Sequence, residues 1–277
     1  MLFFADIPPA KYVIEQTAIQ KPALISTHDL TLIKDLLDRL DPETTLVLWD
    51  VDQTLYTPDD AILKPHHEKR FDELLGGSKI VIDSEGKKRY LFREIVSNAS
   101  HSLVDPRSVQ IIKELQNRNM PNLAITLSNS GRIGKIESFI DWRIEELRNF
   151  GFDFRIDYPS LILPKDRDKE YPPVFKSGVL MTSLHDKGIV LKNFLAAIGW
   201  KPKKIVFIDD QLKNIQSVIQ ELGDEIEIHG FHYTAASEKP CLLNEEAAQF
   251  QVEHFKKTAI WLSDAEALSL VPLLNKD

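Results

Sequence analysis

The chain is short of the residues that build special scaffolds. It holds one cysteine, Cys241, in 277 residues, which excludes an internal disulfide framework. Glycine and proline are scattered, with no internal repeat and no stretch that reads as a low-complexity linker. No apolar run approaches the roughly 18 to 20 residues that a membrane helix needs. Basic excess is missing too. The formal net charge is -8, and the basic patch of a nucleic-acid binder does not stand out. Lys87-Lys88-Arg89 is brief and follows Glu85-Gly86, so it reads as a solvated hairpin tip. The start, Met1 to Asp6, is apolar but lacks the basic head and length of a secretory leader. A trimmed leader would leave the same stump, so the compartment, cytoplasmic or exported, stays open.

What is present is an ordinary globular balance, 43% hydrophobic and 27% charged. It suits one domain over residues 1–277 with room for inserted units. The most informative stretch is Leu46 to Leu55, Leu-Val-Leu-Trp-Asp-Val-Asp-Gln-Thr-Leu. Its short, branched and aromatic run fits a buried strand. Asp50 and Asp52 then leave the carboxyl end of that strand, the edge where open α/β sheets bind ligands. Two like charges so close need a cation or a shared proton, and all-oxygen ligands suit Mg²⁺. Alone, an Asp-x-Asp pair is more often a solvated turn.

The remaining elements decide the matter by their order. Asn122 to Ser130 is a second apolar run ending in hydroxyls, with Ser128 and Thr126 both available. Lys204 to Asp210 is a third, ending in Asp209 and Asp210. Between them Asp186-Lys187-Gly188 opens a helical pattern. Carboxylate pair, hydroxyl, lysine and second carboxylate pair make up a phosphate-and-metal constellation. The histidine pairs His66-His67 and His229/His232 lack metal spacing with cysteine partners and read as surface groups.

This ordered set resembles the haloacid dehalogenase-like (HAD) phosphohydrolases. Asp50, Asp52 and Thr54 match the first motif, Ser128 the second, Lys187 the third, and Asp209 with Asp210 the fourth. Within that superfamily the chain looks most like the bacterial DUF2608 group, on the words DPETTLVLWDVDQTL, SGVL, Lys187 to Leu195 and IVFIDDQLKN. The likeness spans about residues 25 to 240. Trp49 departs from it, standing where Phe or a smaller apolar residue is usual. The resemblance implies a Rossmannoid three-layer parallel sheet with small cap insertions. It also implies Mg²⁺ held by the Asp50 side chain, the Asp52 carbonyl, Asp209 and Asp210.

The chemistry expected is phosphomonoester hydrolysis. Asp50 would attack phosphorus. Asp52 would shuttle the proton, its crowding by other acids keeping it able to hold one. Thr54 would brace the Asp50–Asp52 loop. Ser128 and Asn129 would bind phosphate beside backbone N–H groups where a helix begins after Gly131. Lys187 would balance the charge, and Asn214 would orient Asp210. The substrate would be a phosphorylated small molecule or a phosphoprotein. The rival reading is a protein-binding or effector-type protein on a HAD scaffold.

The intervals supply the remaining expectations. Leu30 to Leu40 forms a helix with Asp29 as N-cap, and Pro106 starts another. Residues 60–104 form a small helix-plus-hairpin cap: a helix over His66–Leu75, then strands over Lys79–Ile82 and Arg89–Ile95. Residues 133–176 form a second, with a helix over Ile133–Phe150. Lys176–Met181 is one short strand. The strands ending at Asp50, Ser128 and Ile208 should be neighbours, and the helix over Glu245–Trp261 covers the core.

Overall fold

The computed structural model describes residues 22–76, 80–82, 88–154 and 158–274. The expected turn at Ser84-Glu85-Gly86, and Met1 to Asp6, lie outside them. β1 (Ala23–Thr27) leads into α1 (Leu30–Leu37), whose N-cap is Asp29 as expected, accepting a hydrogen bond from the Thr31 N–H. β2 (Thr45–Trp49) follows and is buried along its whole length.

The first insertion comes next. It contains β3 (Tyr56–Pro58), two 3-10 turns (Ala61–Leu63 and Pro65–His67) and α2 (Glu68–Leu75). β4 (Ile80–Ile82) pairs with β5 (Lys88–Tyr90), then come α3 (Leu91–Asn98) and β6 (His101–Leu103). The strand expected over Arg89–Ile95 is thus helical from Leu91. Leu91 and Ile95 are both buried, and their spacing of four serves one helix face as well as it serves alternation.

α4 (Arg107–Asn117) starts at Pro106 as expected and delivers the chain to β7 (Asn122–Thr126). α5 (Phe139–Asn149) begins six residues later than the pattern from Ile133 predicts. Ile133 and Ile136 close a tight bridge around Gly134, whose φ is +56°, and that turn bars the helix. β8 (Leu161–Ile162) is brief. The single strand expected over Lys176–Met181 is a hairpin, β9 (Val174–Lys176) and β10 (Val179–Met181). Its two-residue turn, Ser177-Gly178, has φ of 47° and 78°, the pattern of a type I′ turn.

The last part runs α6 (Lys187–Ile198), β11 (Lys204–Asp209), α7 (Leu212–Leu222) and β12 (Glu227–Tyr233). It ends in α8 (Ala235–Glu238), α9 (Glu245–Thr258) and α10 (Asp264–Leu274). The central sheet has the order β1-β12-β11-β2-β7-β10-β9-β8. The first six strands are parallel, and β9 and β8 add an antiparallel edge. β11, β2 and β7 are neighbours, as the three acid- and hydroxyl-ended runs require.

Alternation along the strands divides the core in two. Val47, Trp49, Val206 and Ile208 face α1, α4 and α5, while Leu46, Leu48, Ile205 and Phe207 face α6 and α7. Burying each such side chain stabilises the fold by about 1.5–3 kcal/mol. A third, separate core joins Ile62, Phe71, Leu75 and Ile95 of the first insertion to Ala248, Val252, Phe255 and Trp261. α9 therefore covers the insertion rather than the sheet. Asp60 fastens this union by accepting from the Trp261 indole at 2.7 Å and the Asp264 N–H at 2.8 Å.

Candidate functional site

Three parallel strands end side by side, and each hands its next polar residue to the same edge. Asp50 follows β2 and keeps its backbone in the ladder, its N–H donating to the Ile208 carbonyl at 2.8 Å. Asp209 ends β11. Ligand oxygens of Asp50, Asp209 and Asp210 lie within 4.8 Å of one another. Lys187 reaches them from the first turn of α6. Its Nζ lies 2.5 Å from Asp50 and 2.6 Å from Asp209, and donates to the Ile125 carbonyl at 3.1 Å.

The start of α6 is pinned so that Lys187 can only point inward. Asp186 caps the helix by accepting from the Ile189 N–H at 3.0 Å. The Ser217 hydroxyl donates to Asp186 and accepts from the Gly188 N–H at 2.8 Å. A Cβ on Gly188 would come within 2.3 Å of the Ser217 carbonyl oxygen, so glycine is what lets α6 approach α7.

Electrostatically this floor is unbalanced, with three carboxylates against one ammonium. Burial pushes the Asp50 carboxyl well above its usual range. The Lys187 charge opposes that shift, and Asp209, Asp210 and Asp52 add to it. Asp210 is raised to about 6 by burial and by Asp209. Lys187 goes up: burial disfavours its charge, but Asp209 and Asp50 together overcome that. Thr54 donates to Asp50 at 3.4 Å, the bracing expected of it. Asn214 donates to both oxygens of Asp209, at 2.9 and 3.1 Å, so it orients Asp209 and not Asp210 as expected. Asp210 takes its hydrogen bond from the Gln211 amide at 2.7 Å.

Asp52 faces a different environment. Arg143 of α5 lies 3.0 Å from its carboxylate, and Arg93 of α3 lies 3.5 Å away. Burial raises the Asp52 carboxyl, but Arg143 and then Arg93 outweigh it and hold it below the ordinary range. Crowding by acids was expected to keep a proton within its reach, and the two guanidiniums reverse that. Arg143 is fully buried and also pairs with Glu146 at 3.2 Å. Its guanidinium sits 5.3–5.4 Å from the ring centres of Phe139, Trp142 and Tyr56. Tyr56 donates to Glu146, and His101 lies 3.5 Å from it.

The two candidate hydroxyls join this same network. Thr126 donates to Asp52 at 3.4 Å, and Ser128 accepts from Arg143 at 3.4 Å. Both are fully buried, and Asn129 is buried beside them. The helix expected to begin after Gly131 starts instead at Phe139, and the Phe139 and Ile140 N–H groups of its first turn donate to the Gly131 and Ser130 carbonyls at 2.9 and 3.4 Å.

Arg143, Arg93 and Glu146 carry no sequence signal as site residues. Arg143 and Glu146 lie in the charged run Asp-Trp-Arg-Ile-Glu-Glu-Leu-Arg, which reads as a solvated face. The available clue was Trp142 beside Arg143 on the first helix after the second apolar run.

A cavity of about 480 Å³ opens over Asp50, Asp52, Lys187 and Asp210. Ile62, Phe71, Arg93 and Val96 of the first insertion form part of its wall. The interval 133–176 supplies α5 and the sheet edge, and none of its described residues lines the cavity. His66, His67, His229 and His232 are all at least partly exposed and outside the acidic cluster. No helix among the described residues is long and apolar enough to cross a membrane.

Sheet order and an acidic, lysine-bearing carboxyl edge define an α/β protein with a mostly parallel, Rossmann-like core. The model of the family described as "Protein of unknown function (DUF2608)" matches residues 29–268, and the chain belongs to that family. Similar proteins come from Rickettsia. An uncharacterised protein of Rickettsia prowazekii is 24% identical over 251 residues, 90% of this chain and 89% of that protein. One of Rickettsia bellii is 22% identical over 233 residues, 78% of this chain and 79% of the relative. One of Rickettsia felis is 25% identical over 179 residues, 61% of this chain and 60% of the relative, so that match spans less than two thirds of its length.

Proposed function

We propose that this chain is a phosphomonoesterase of the HAD type, with residues 60–104 as its cap and Mg²⁺ as its cation. The observation that carries the reading is the meeting of Asp50, Asp209 and Asp210 within 4.8 Å around the buried Lys187. Three acids against one base leave an excess of two negative charges. That donor set, all oxygen and under-neutralised, fits a hard divalent cation. Asp50, Asp209 and Asp210 would hold it, with the Asp52 carbonyl. Bound there, Mg²⁺ supplies the positive charge that lets an anionic phosphate approach an anionic nucleophile.

The protein's own groups do the rest. A carboxylate oxygen of Asp50 forms a bond to phosphorus as the ester P–O bond breaks. Lys187 opposes the rise of the Asp50 carboxyl, favouring its ionised form, and offsets charge on the phosphate. Asp52, held as a carboxylate by Arg143 and Arg93, is best prepared for the second half-reaction. It takes a proton from the water that cleaves the aspartyl-phosphate. In the first half-reaction Asp52 must carry a proton to the leaving oxygen, which the arginines oppose. Aryl esters, whose leaving group departs unaided, are therefore the favoured probes. Ser128 and Asn129, the expected phosphate contacts, are buried and do not line the cavity, so the phosphate is assigned to Asp50 and Lys187.

The test is p-nitrophenyl phosphate turnover with Mg²⁺ and with excess EDTA. Turnover should require the cation. Asp50→Asn should lower it by about 1,000-fold or more while the fold persists, because the nucleophile is lost. A folded Asp50→Asn protein with near wild-type turnover would refute the assignment.

A further inference from the structure

We infer that the site takes a small phosphomonoester with an apolar body, and disfavours sugar phosphates and phosphoproteins. This rests on the phosphatase reading above. The phosphate end of the cavity is fixed by Asp50 and Lys187, so the body of the ester must lie along the remaining wall. That wall is built by Pro58, Ile62, Leu63, Phe71, Val96 and Leu184. The first insertion supplies most of it, held in place from behind by α9 through the shared core. At about 480 Å³ the cavity has the size of a small-molecule pocket, and a folded phosphoprotein surface does not enter it.

The hydrogen-bonding groups tell against a polyol. The neutral polar side chains on the lining are Gln53, Gln211 and Asn214. Each is engaged within the protein at one end of its amide: Gln53 accepts from Thr57, Gln211 donates to Asp210 and Asn214 donates to Asp209, which leaves a ligand part of each amide. The several hydroxyls of a sugar, each both donor and acceptor, would outnumber these partners, and those facing the apolar wall would lose water without gaining one. The charged lining gives no second anion site either. The charges of Lys64 and Lys213 are offset in number by Glu68 and Asp72 on the same lining, and Arg93 is engaged with Asp52.

The experiment uses esters with one leaving-group type, so that only the body varies. kcat/KM is compared for 4-propylphenyl phosphate, 4-(3-hydroxypropyl)phenyl phosphate and a phosphotyrosine peptide. The propyl ester should lead the hydroxypropyl ester by about tenfold or more, the scale on which apolar pockets discriminate, and the peptide should trail both. Leu184→Asn should narrow the gap between the first two. Leu184 is 39% exposed and has φ of 64°, a conformation asparagine adopts readily, so this variant keeps the fold. Equal rates for the two propyl esters, or a preference for the peptide, overturn the inference and leave the phosphatase reading standing. No turnover of any of the three removes both.

Discussion

Two buried cations stand on either side of the Asp50–Asp52 turn, each between two carboxylates, and they serve opposite ends. Lys187 lies on the floor between Asp50 and Asp209, with Asp210 adding a third negative charge. Arg143 lies in the wall between Asp52 and Glu146, with Arg93 adding a second positive one. Counted at full ionisation, the floor is left negative and the wall is balanced. A buried charge imbalance costs stability unless something binds to cancel it, which marks the floor as the place for a ligand. The wall is closed on itself and holds Asp52 in position. Its guanidinium has a fork for two acids and flat faces for three rings, which an ammonium lacks.

The largest effect expected is at the floor. Lys187→Met leaves three carboxylates facing one another. It should cost about 3–5 kcal/mol in metal-free buffer, the scale for breaking a buried pair. Added Mg²⁺ should recover part of that by binding the folded state. Arg143→Met should lose a similar amount and recover nothing. Urea denaturation of both variants, with and without Mg²⁺, tests the contrast, and an equal Mg²⁺ response in the two would erase it.

The floor was legible in the sequence and the wall was not. Asp50, Asp209 and Asp210 follow apolar runs, and Lys187 opens a helix before glycine. Strand ends are where a chain's order becomes geometry, so four separate words predict one place. Arg143 and Glu146 are three apart on a helix, the spacing of an ordinary surface pair. The packing of α5 against Tyr56 and the Asp52 turn buries them, and a contact 90 residues apart in sequence leaves no local trace. β1 went unread for a related reason. Its strand is five residues of mixed exposure at the sheet edge, with little period to detect. The hairpin at Ser177-Gly178 was readable in principle. A Cβ on Gly178 would fall 1.6 Å from the Phe154 carbonyl oxygen, so that glycine is required.

A smaller effect separates the roles of the two cations in turnover. Arg143→Lys keeps the charge but cannot span Asp52 and Glu146 together. Asp52 should then drift from its position. The drop in kcat should be about 10- to 100-fold, the scale of a displacement near 1 Å, with KM little changed. Steady-state kinetics on p-nitrophenyl phosphate decide it. A raised KM at constant kcat would make Arg143 a substrate-binding group instead.

The smallest effect is the most diagnostic of the wall. Burial pushes the Glu146 carboxyl up to about 7 from an ordinary 4.5, against the pull of Arg143 and with Asp52 adding to the rise. Between those two values the folded protein holds a proton that the unfolded chain has shed. Stability from this group is therefore complete below about pH 4.5, falls as pH rises toward about 7, and is level above it. At 1.36 kcal/mol per unit the loss is about 1–3 kcal/mol. Glu146→Gln keeps a hydrogen-bonding side chain of the same shape and has no proton to lose. Relative to wild type it should gain about 1–3 kcal/mol between pH 5 and pH 8 in urea denaturation. Parallel profiles would mean that Arg143 keeps Glu146 ionised throughout. The wall would then be a fixed ion pair like the Lys187–Asp209 contact, and the contrast between the two buried cations would reduce to Asp210 alone.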